Sequence, residues 1–166
     1  MWREPLIVWV PRPILQSCTA DATRYFPRET GGTFMGYWAN AHEAVVTRLV
    51  DAGPLAVRGR ASFEADQKWQ LAEIARHYTA SGQRHGYLGD WHSHPGATEG
   101  DLSLKDRAVL ARIIRTPGAR APKPISMVLH GSGSTWNASM WVAQARGTAL
   151  LRIRMKCEHA QITLYE

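Results

Sequence analysis

A chain of 166 residues with 45% hydrophobic content is long enough to bury a core and too apolar for disorder, so one domain over 1–166 is expected. No apolar run approaches the ~20 residues that span a bilayer. Met1-Trp2-Arg3-Glu4-Pro5 lacks the charged-then-apolar layout of a secretory leader. The expectation is a cytoplasmic protein with no membrane partner. A formal net charge of +6 leaves anionic partners open, but Lys and Arg are scattered, without a basic run or aromatic-and-basic alternation. Nucleic acid is therefore possible and not favoured. Cys18 and Cys157 read as free buried thiols rather than a bridge or ligands.

Leu6 to Val10 is a first strand, closed by Pro11 and Pro13. Ile14 to Phe26 follows as a helix with Leu15, Cys18, Ala22 and Tyr25 or Phe26 as its apolar stripe, and Pro27 stops it. Glu29 to Trp38 is a turn entering a strand. Its paired Gly31-Gly32 signals a bulge or close backbone approach, and Glu29 just before them belongs at a cleft or in solvent. Glu43 to Val50 returns as a second strand after Ala39–His42. Asp51 to Ala61, with Gly53-Pro54 and Gly59, is a loop. Phe63 to Tyr78 has helical spacing: Leu71, Ile74, Ala75 and Tyr78 share a face, Glu64 precedes Lys68 at i,i+4, and Ser81-Gly82 ends it.

Gly86 to Trp91 is short and aromatic-rich, a strand continuing into His92-Ser93-His94 until Pro95 ends it. The side-chain period of two points both histidines the same way. After the polar loop from Gly96, a helix runs from Leu104 to about Arg115. Asp106, Val109, Leu110 and Ile113 lie on one side of it, and Lys105, Arg112 and Arg115 on another. Ser103 stands at its N-cap with Asp106 three residues later. Ser-x-x-Asp alone is also a plain capping box. Joined to His-x-His in this order, it makes a two-His, one-carboxylate site with a position left for water, the open geometry of catalytic zinc.

Thr116-Pro117-Gly118 breaks that helix. Ile125 to Leu129 is an interior strand, Gly131–Ser134 a turn, and Trp136 to Ala143 another strand. Leu151 to Cys157 alternates, with Ile153, Met155 and Cys157 inward and Arg152, Arg154 and Lys156 outward. That basic row suits an acidic partner or, preferably, protects an edge strand. Gln161 to Tyr165 is a last strand. The order β-α-β-β-α-β-α-β-β-β gives a mixed α/β sheet with helices packed on it.

Glu29-Thr30-Gly31-Gly32, His92-Ser93-His94-Pro95 and Ser103-Leu104-Lys105-Asp106, in that order, resemble the JAMM (MPN-type) zinc metalloproteases, above all their prokaryotic JAB-domain branch. The resemblance runs from about residue 5 to residue 143. It implies a three-layer α/β/α, cytidine-deaminase-like domain with one catalytic zinc ion. It also implies isopeptidase or peptidase cleavage after the C-terminal residue of a ubiquitin-like protein. His92, His94 and Asp106 would hold the zinc, Glu29 would be the acid/base carboxylate, and the Ser103 hydroxyl would support the oxyanion. Pro95 to Leu102 separate His94 from Ser103, one residue more than the family's usual spacing, which brings Asp101 and Glu99 into view beside Asp106; the helix face and the Ser-x-x-Asp context favour Asp106. The setting implied is deconjugation in bacterial antiphage operons that carry ubiquitin-like conjugation machinery, including CBASS systems. Asp51 to Arg84 is the segment where a recognition surface can be built. The alternatives are a catalytically silent MPN-type scaffold, against which the full set of five residues argues, and a basic nucleic-acid-associated module. The missing His-Glu-x-x-His and Pro-Cys-x-x-Cys argue against other zinc hydrolases and deaminases.

Overall fold

A computed structural model describes residues 4–147 and 154–166. The elements in order are β1 (Ile7–Pro11), α1 (Arg12–Tyr25), β2 (Gly31–Trp38), β3 (Glu43–Val50), β4 (Val57–Arg58), β5 (Phe63–Glu64), α2 (Gln67–Ala80), β6 (Gly86–Pro95), α3 (Leu104–Ile114), a 3₁₀ turn at Pro117–Ala119, β7 (Ile125–Ser132), β8 (Thr135–Arg146) and β9 (Arg154–Tyr165). Seven strands form one mixed sheet in the order β1-β3-β2-β6-β7-β8-β9, and β4 and β5 form a small separate ribbon. No helix among the described residues is long and apolar enough to cross a membrane.

The mixed α/β sheet carrying helices is as expected, and it also closes on itself. Closure rests on β9, whose first half pairs antiparallel with β8 from Arg154 to Ala160 and whose second half pairs parallel with β1 from Gln161 to Tyr165. A strand with two partners in succession stays extended throughout, so the two short strands expected at the C-terminal end are one. Leu151, Arg152 and Ile153 lie outside the described residues, as does the Met1–Arg3 part of the N-terminal reading. Met155 and Cys157 pack against buried neighbours as their alternation requires. Lys156 is ion-paired with Glu158 rather than free.

Alternation along β7 and β8 divides the core. Met127, Leu129, Met140 and Val142 join Trp91 and the Cys18 and Ala22 side chains of α1 in the main cluster. Val128 and Ala143 point the other way and meet Leu110 of α3 and Leu102. α1 and α3 therefore cover opposite faces of the sheet. On β6 the register slips against β2 next to Gly89, which has φ +154° and whose Cβ would stand 1.9 Å from the Ile125 carbonyl oxygen. Past that bulge Trp91 and Ser93 point into the main core. His92 lies beside Val128 and His94 beside His130 in register, on the face α3 covers.

Two helix expectations change. Pro13 does not end a strand but sits in the first turn of α1, where its missing N–H costs nothing. The span from Phe63 to Tyr78 is not one helix. Phe63 and Glu64 pair with Arg58 and Val57, and α2 starts behind Asp66, whose side chain accepts the Trp69 amide. Glu64 and Lys68 thus share no helical turn. Asp51 accepts the Trp69 indole N–H on its carboxylate and the Gln70 amide on its carbonyl, and this sets the rotation of α2. Ile74, His77 and Tyr78 turn toward the protein while Leu71 is 60% exposed.

Candidate metal centre

The outer face of β6 and the first turn of α3 bring three ligating side chains together. His92 Nε2 lies 3.0 Å from His94 Nε2, His92 Nε2 lies 3.3 Å from Asp106 Oδ1, and His94 Nε2 lies 3.5 Å from Asp106 Oδ2. One donor atom from each falls within 4.8 Å of the other two, and all three residues are half-buried. Bonds of about 2 Å around a tetrahedral centre place ligand atoms roughly 3.3 Å apart. The donor set and its spacing fit one divalent ion, and three protein donors would leave a tetrahedral ion's fourth position for water. Glu99 and Asp101, the alternative carboxylates, are exposed and stand outside this group.

Local physics fixes each side chain. Ser103 caps α3: its Oγ accepts the Asp106 N–H at 3.1 Å, while its own N–H donates to Asp106 Oδ2 at 2.7 Å. The capping box thus holds the Asp106 carboxylate on the histidines, so the structural and metal readings of Ser-x-x-Asp describe one geometry. Leu110, one turn below Asp106, buries the same helix face. Burial alone would raise the Asp106 pKa, but the His92 imidazole and the Ser103 donors outweigh it and hold the carboxyl well below its usual range. Burial, then the neighbouring His92, depresses the His94 pKa. Both shifts favour the forms, ionised carboxylate and neutral imidazole, that can bind a metal ion.

The loop that is one residue longer than the family norm is tied down at three points. Gly96 N–H donates to the Gly131 carbonyl at 2.6 Å, the Trp141 indole N–H donates to the Gly100 carbonyl at 2.8 Å, and Leu102 is buried in the α3 cluster. A Cβ on Gly100 would meet Ser139 Oγ at 2.3 Å and His130 Cδ2 at 2.7 Å. With these ties α3 starts in a phase that keeps the Asp106 carboxylate on His92 and His94.

Glu29 stands just before β2, half-buried, close enough to His92, Asp106 and Lys105 for their charges to act on it. Burial raises its pKa first, and His92 and Lys105 pull against that. Its N–H donates to the Gly59 carbonyl at 2.8 Å. Gly31 and Gly32 are the close backbone approach expected: a Cβ on Gly31 would lie 2.4 Å from the Trp91 carbonyl oxygen and 2.7 Å from the Phe63 ring. The Phe63 ring of the β4–β5 ribbon therefore lies over Gly31, which is in register with His92.

Three contributors were not singled out from sequence. Ser93, fully buried, bonds the Thr30 backbone through both its N–H and its Oγ. Asp90 shares the His92 face and accepts the Thr33 and Tyr87 hydroxyls, each at 2.8 Å. Trp141 holds Gly100. The period-two alternation around His92 implies the facing of Ser93 and Asp90, but only the fold supplies their partners.

A family described as prokaryotic homologs of the JAB domain matches residues 11–147. A probable metalloprotease of Sinorhizobium fredii is 43% identical over 162 residues, 98% of this chain and 99% of the relative. The solution structure of a Desulfitobacterium hafniense protein shares the fold at TM-score 0.67 and 18% identity, covering 97% of this chain and 94% of that one.

Proposed function

Since the chain belongs to the family of prokaryotic JAB-domain homologs, whose relative in Sinorhizobium fredii is a probable metalloprotease, we propose that it is a zinc-dependent isopeptidase that removes a ubiquitin-like protein from a conjugated target. The observation that carries this reading is the convergence of His92, His94 and Asp106 on one point, with the half-buried Glu29 beside them. The two imidazoles and the carboxylate hold the ion. When bound, zinc supplies a Lewis acid and lowers the pKa of a coordinated water from 15.7 to roughly 7.

The chain's own groups do the rest. The Glu29 carboxylate takes the proton of the attacking water and passes it to the departing lysine amine. The Ser103 lone pair is engaged by the Asp106 N–H, so its hydroxyl hydrogen is free to donate to the oxyanion that forms at the scissile carbonyl. One such donor is typically worth about 100- to 1000-fold in rate. No covalent intermediate is required, and the buried Cys18, its pKa pushed upward by burial, takes no part.

α1 and α3 on opposite sheet faces support the three-layer arrangement that the JAMM resemblance implies. The β4–β5 ribbon against Gly31 supports a recognition surface within Asp51 to Arg84. We place the protein in the cytoplasm, in an antiphage conjugation system, where such conjugates form. The test is incubation with linear fusions and lysine-linked conjugates of ubiquitin-like proteins, with and without a chelator. Cleavage after the modifier's C-terminal residue, lost with chelator and restored by zinc, is expected. Chelator-insensitive cleavage, or none, contradicts the proposal.

A further inference from the structure

Beside Glu29 four arginines gather from two separate segments. Arg24 and Arg58 both lie over the Tyr25 ring, at 5.4 and 3.8 Å from its centroid. Arg28 and Arg60 are the chain neighbours of Glu29 and Gly59, which are joined by the Glu29 N–H to Gly59 carbonyl bond. Arg24, Arg28 and Arg60 are exposed. No ion pair among the described residues involves any of the four. Of the nearby acids, Asp21 reaches Arg58 only through the Thr30 hydroxyl, which donates to it at 2.9 Å, and it forms no direct ion pair with the rim.

Arg58 differs from the other three. Its guanidinium carbon rests over the Tyr25 face at 3.8 Å, and its Nε donates to Thr30 Oγ1 at 3.0 Å. Thr30 is fully buried and bonded to Ser93, between the two histidines. A guanidinium fixed in this way keeps its two terminal amino groups for an outside acceptor, and little freedom is lost when one arrives.

We propose that this arginine rim is a docking surface for an acidic segment of the protein substrate, held at the mouth of the site next to Glu29. Several arginines on adjoining segments with no direct ion pair among the described residues favour an anionic ligand. The rim is compact, gathered around one Tyr25 ring and one backbone contact, and that suits a short run of carboxylates with Arg58 as the bidentate anchor. A nucleic-acid backbone is served by a longer basic track with bases stacked on aromatic faces, whereas here Tyr25 is already covered by arginine. Describing the ligand as substrate rests on the isopeptidase reading. The surface itself does not, so binding is measured on metal-stripped protein.

The probes are a fluorescein-labelled glutamate-rich peptide, a glutamine-rich peptide of the same length and a single-stranded oligonucleotide, followed by fluorescence anisotropy. The native chain is expected to bind the acidic peptide and not the neutral one. Binding should fade as salt rises from about 0.1 M to about 1 M and the screening length shrinks from about 10 to about 3 Å. Arg24→Glu with Arg28→Glu and Arg60→Glu should weaken binding at least about tenfold, as the loss of several modest charge contacts predicts. The corresponding triple Gln variant, with its thermal transition as a folding control, covers the case in which charge reversal unfolds the chain. Acidic-peptide binding that is absent, or unchanged in folded variants, overturns the proposal. So does tighter binding of the oligonucleotide through the same arginines, which would assign the rim to nucleic acid.

Discussion

Thr30, just before β2, and Ser93 on β6 face each other and exchange two hydrogen bonds. The Ser93 N–H donates to the Thr30 carbonyl at 2.8 Å, and the Thr30 N–H donates to Ser93 Oγ at 3.0 Å. Both residues are fully buried. Each is flanked by candidate site residues, Glu29 just before β2 and His92 and His94 on β6, so this pair ties the segment bearing the carboxylate to the strand bearing the histidines. Ser93→Ala leaves the Thr30 N–H buried without its partner, at a cost of about 1–3 kcal/mol. The expected outcome is a melting temperature lower by several degrees, with metal stoichiometry retained and turnover reduced. Calorimetry beside metal analysis checks it, and an unchanged turnover would show that the link does not position Glu29.

The Gly100 anchor makes a second prediction. Its Cβ position is already taken by Ser139 and His130, so Gly100→Ala must push the loop away from β8. With the loop goes the start of α3, and with α3 goes Asp106. Metal affinity should fall while the remote β1–β9 closure keeps its amide-exchange protection. Trp141→Phe, which removes only the indole donor to Gly100, should give a milder loss, with about 0.5–1.5 kcal/mol of stability. Equal metal affinity in all three proteins would mean that the loop does not govern the site.

Glu29 carries a pH signature. Burial raises its pKa, and Lys105 is one of the charges that hold it down. In the proposed role of base Glu29 would work ionised, so activity should fall as pH drops through its pKa, and a higher pKa should move that acid limb to higher pH. Lys105→Met should therefore shift the acid limb of kcat/KM upward, and the shift should shrink in high salt because Lys105 is exposed. A limb that stays in place or moves down would separate Lys105 from Glu29.

The parts of this site written in local rules were legible in the sequence. His92 and His94 share a face because strands alternate, and Asp106 lies three residues past Ser103 because a capping box requires it; the fold then brings the two motifs together. What stayed hidden depends on partners distant in the chain. Phe63 continues a helical pattern in the sequence, but in the fold Arg58 offers it a strand partner and Asp66 caps the helix that follows. Leu71 fitted an apolar face that the Asp51 tether rotates into solvent. The Thr30–Ser93 bond needed the β2–β6 register, which no local spacing contains.

Zinc titration of chelator-stripped protein, followed calorimetrically, tests the account most directly. One ion per chain is expected for the native sequence and for Glu29→Gln, with binding lost when His92 and His94 are both replaced by Ala. Undiminished stoichiometric binding in that double variant would contradict the site.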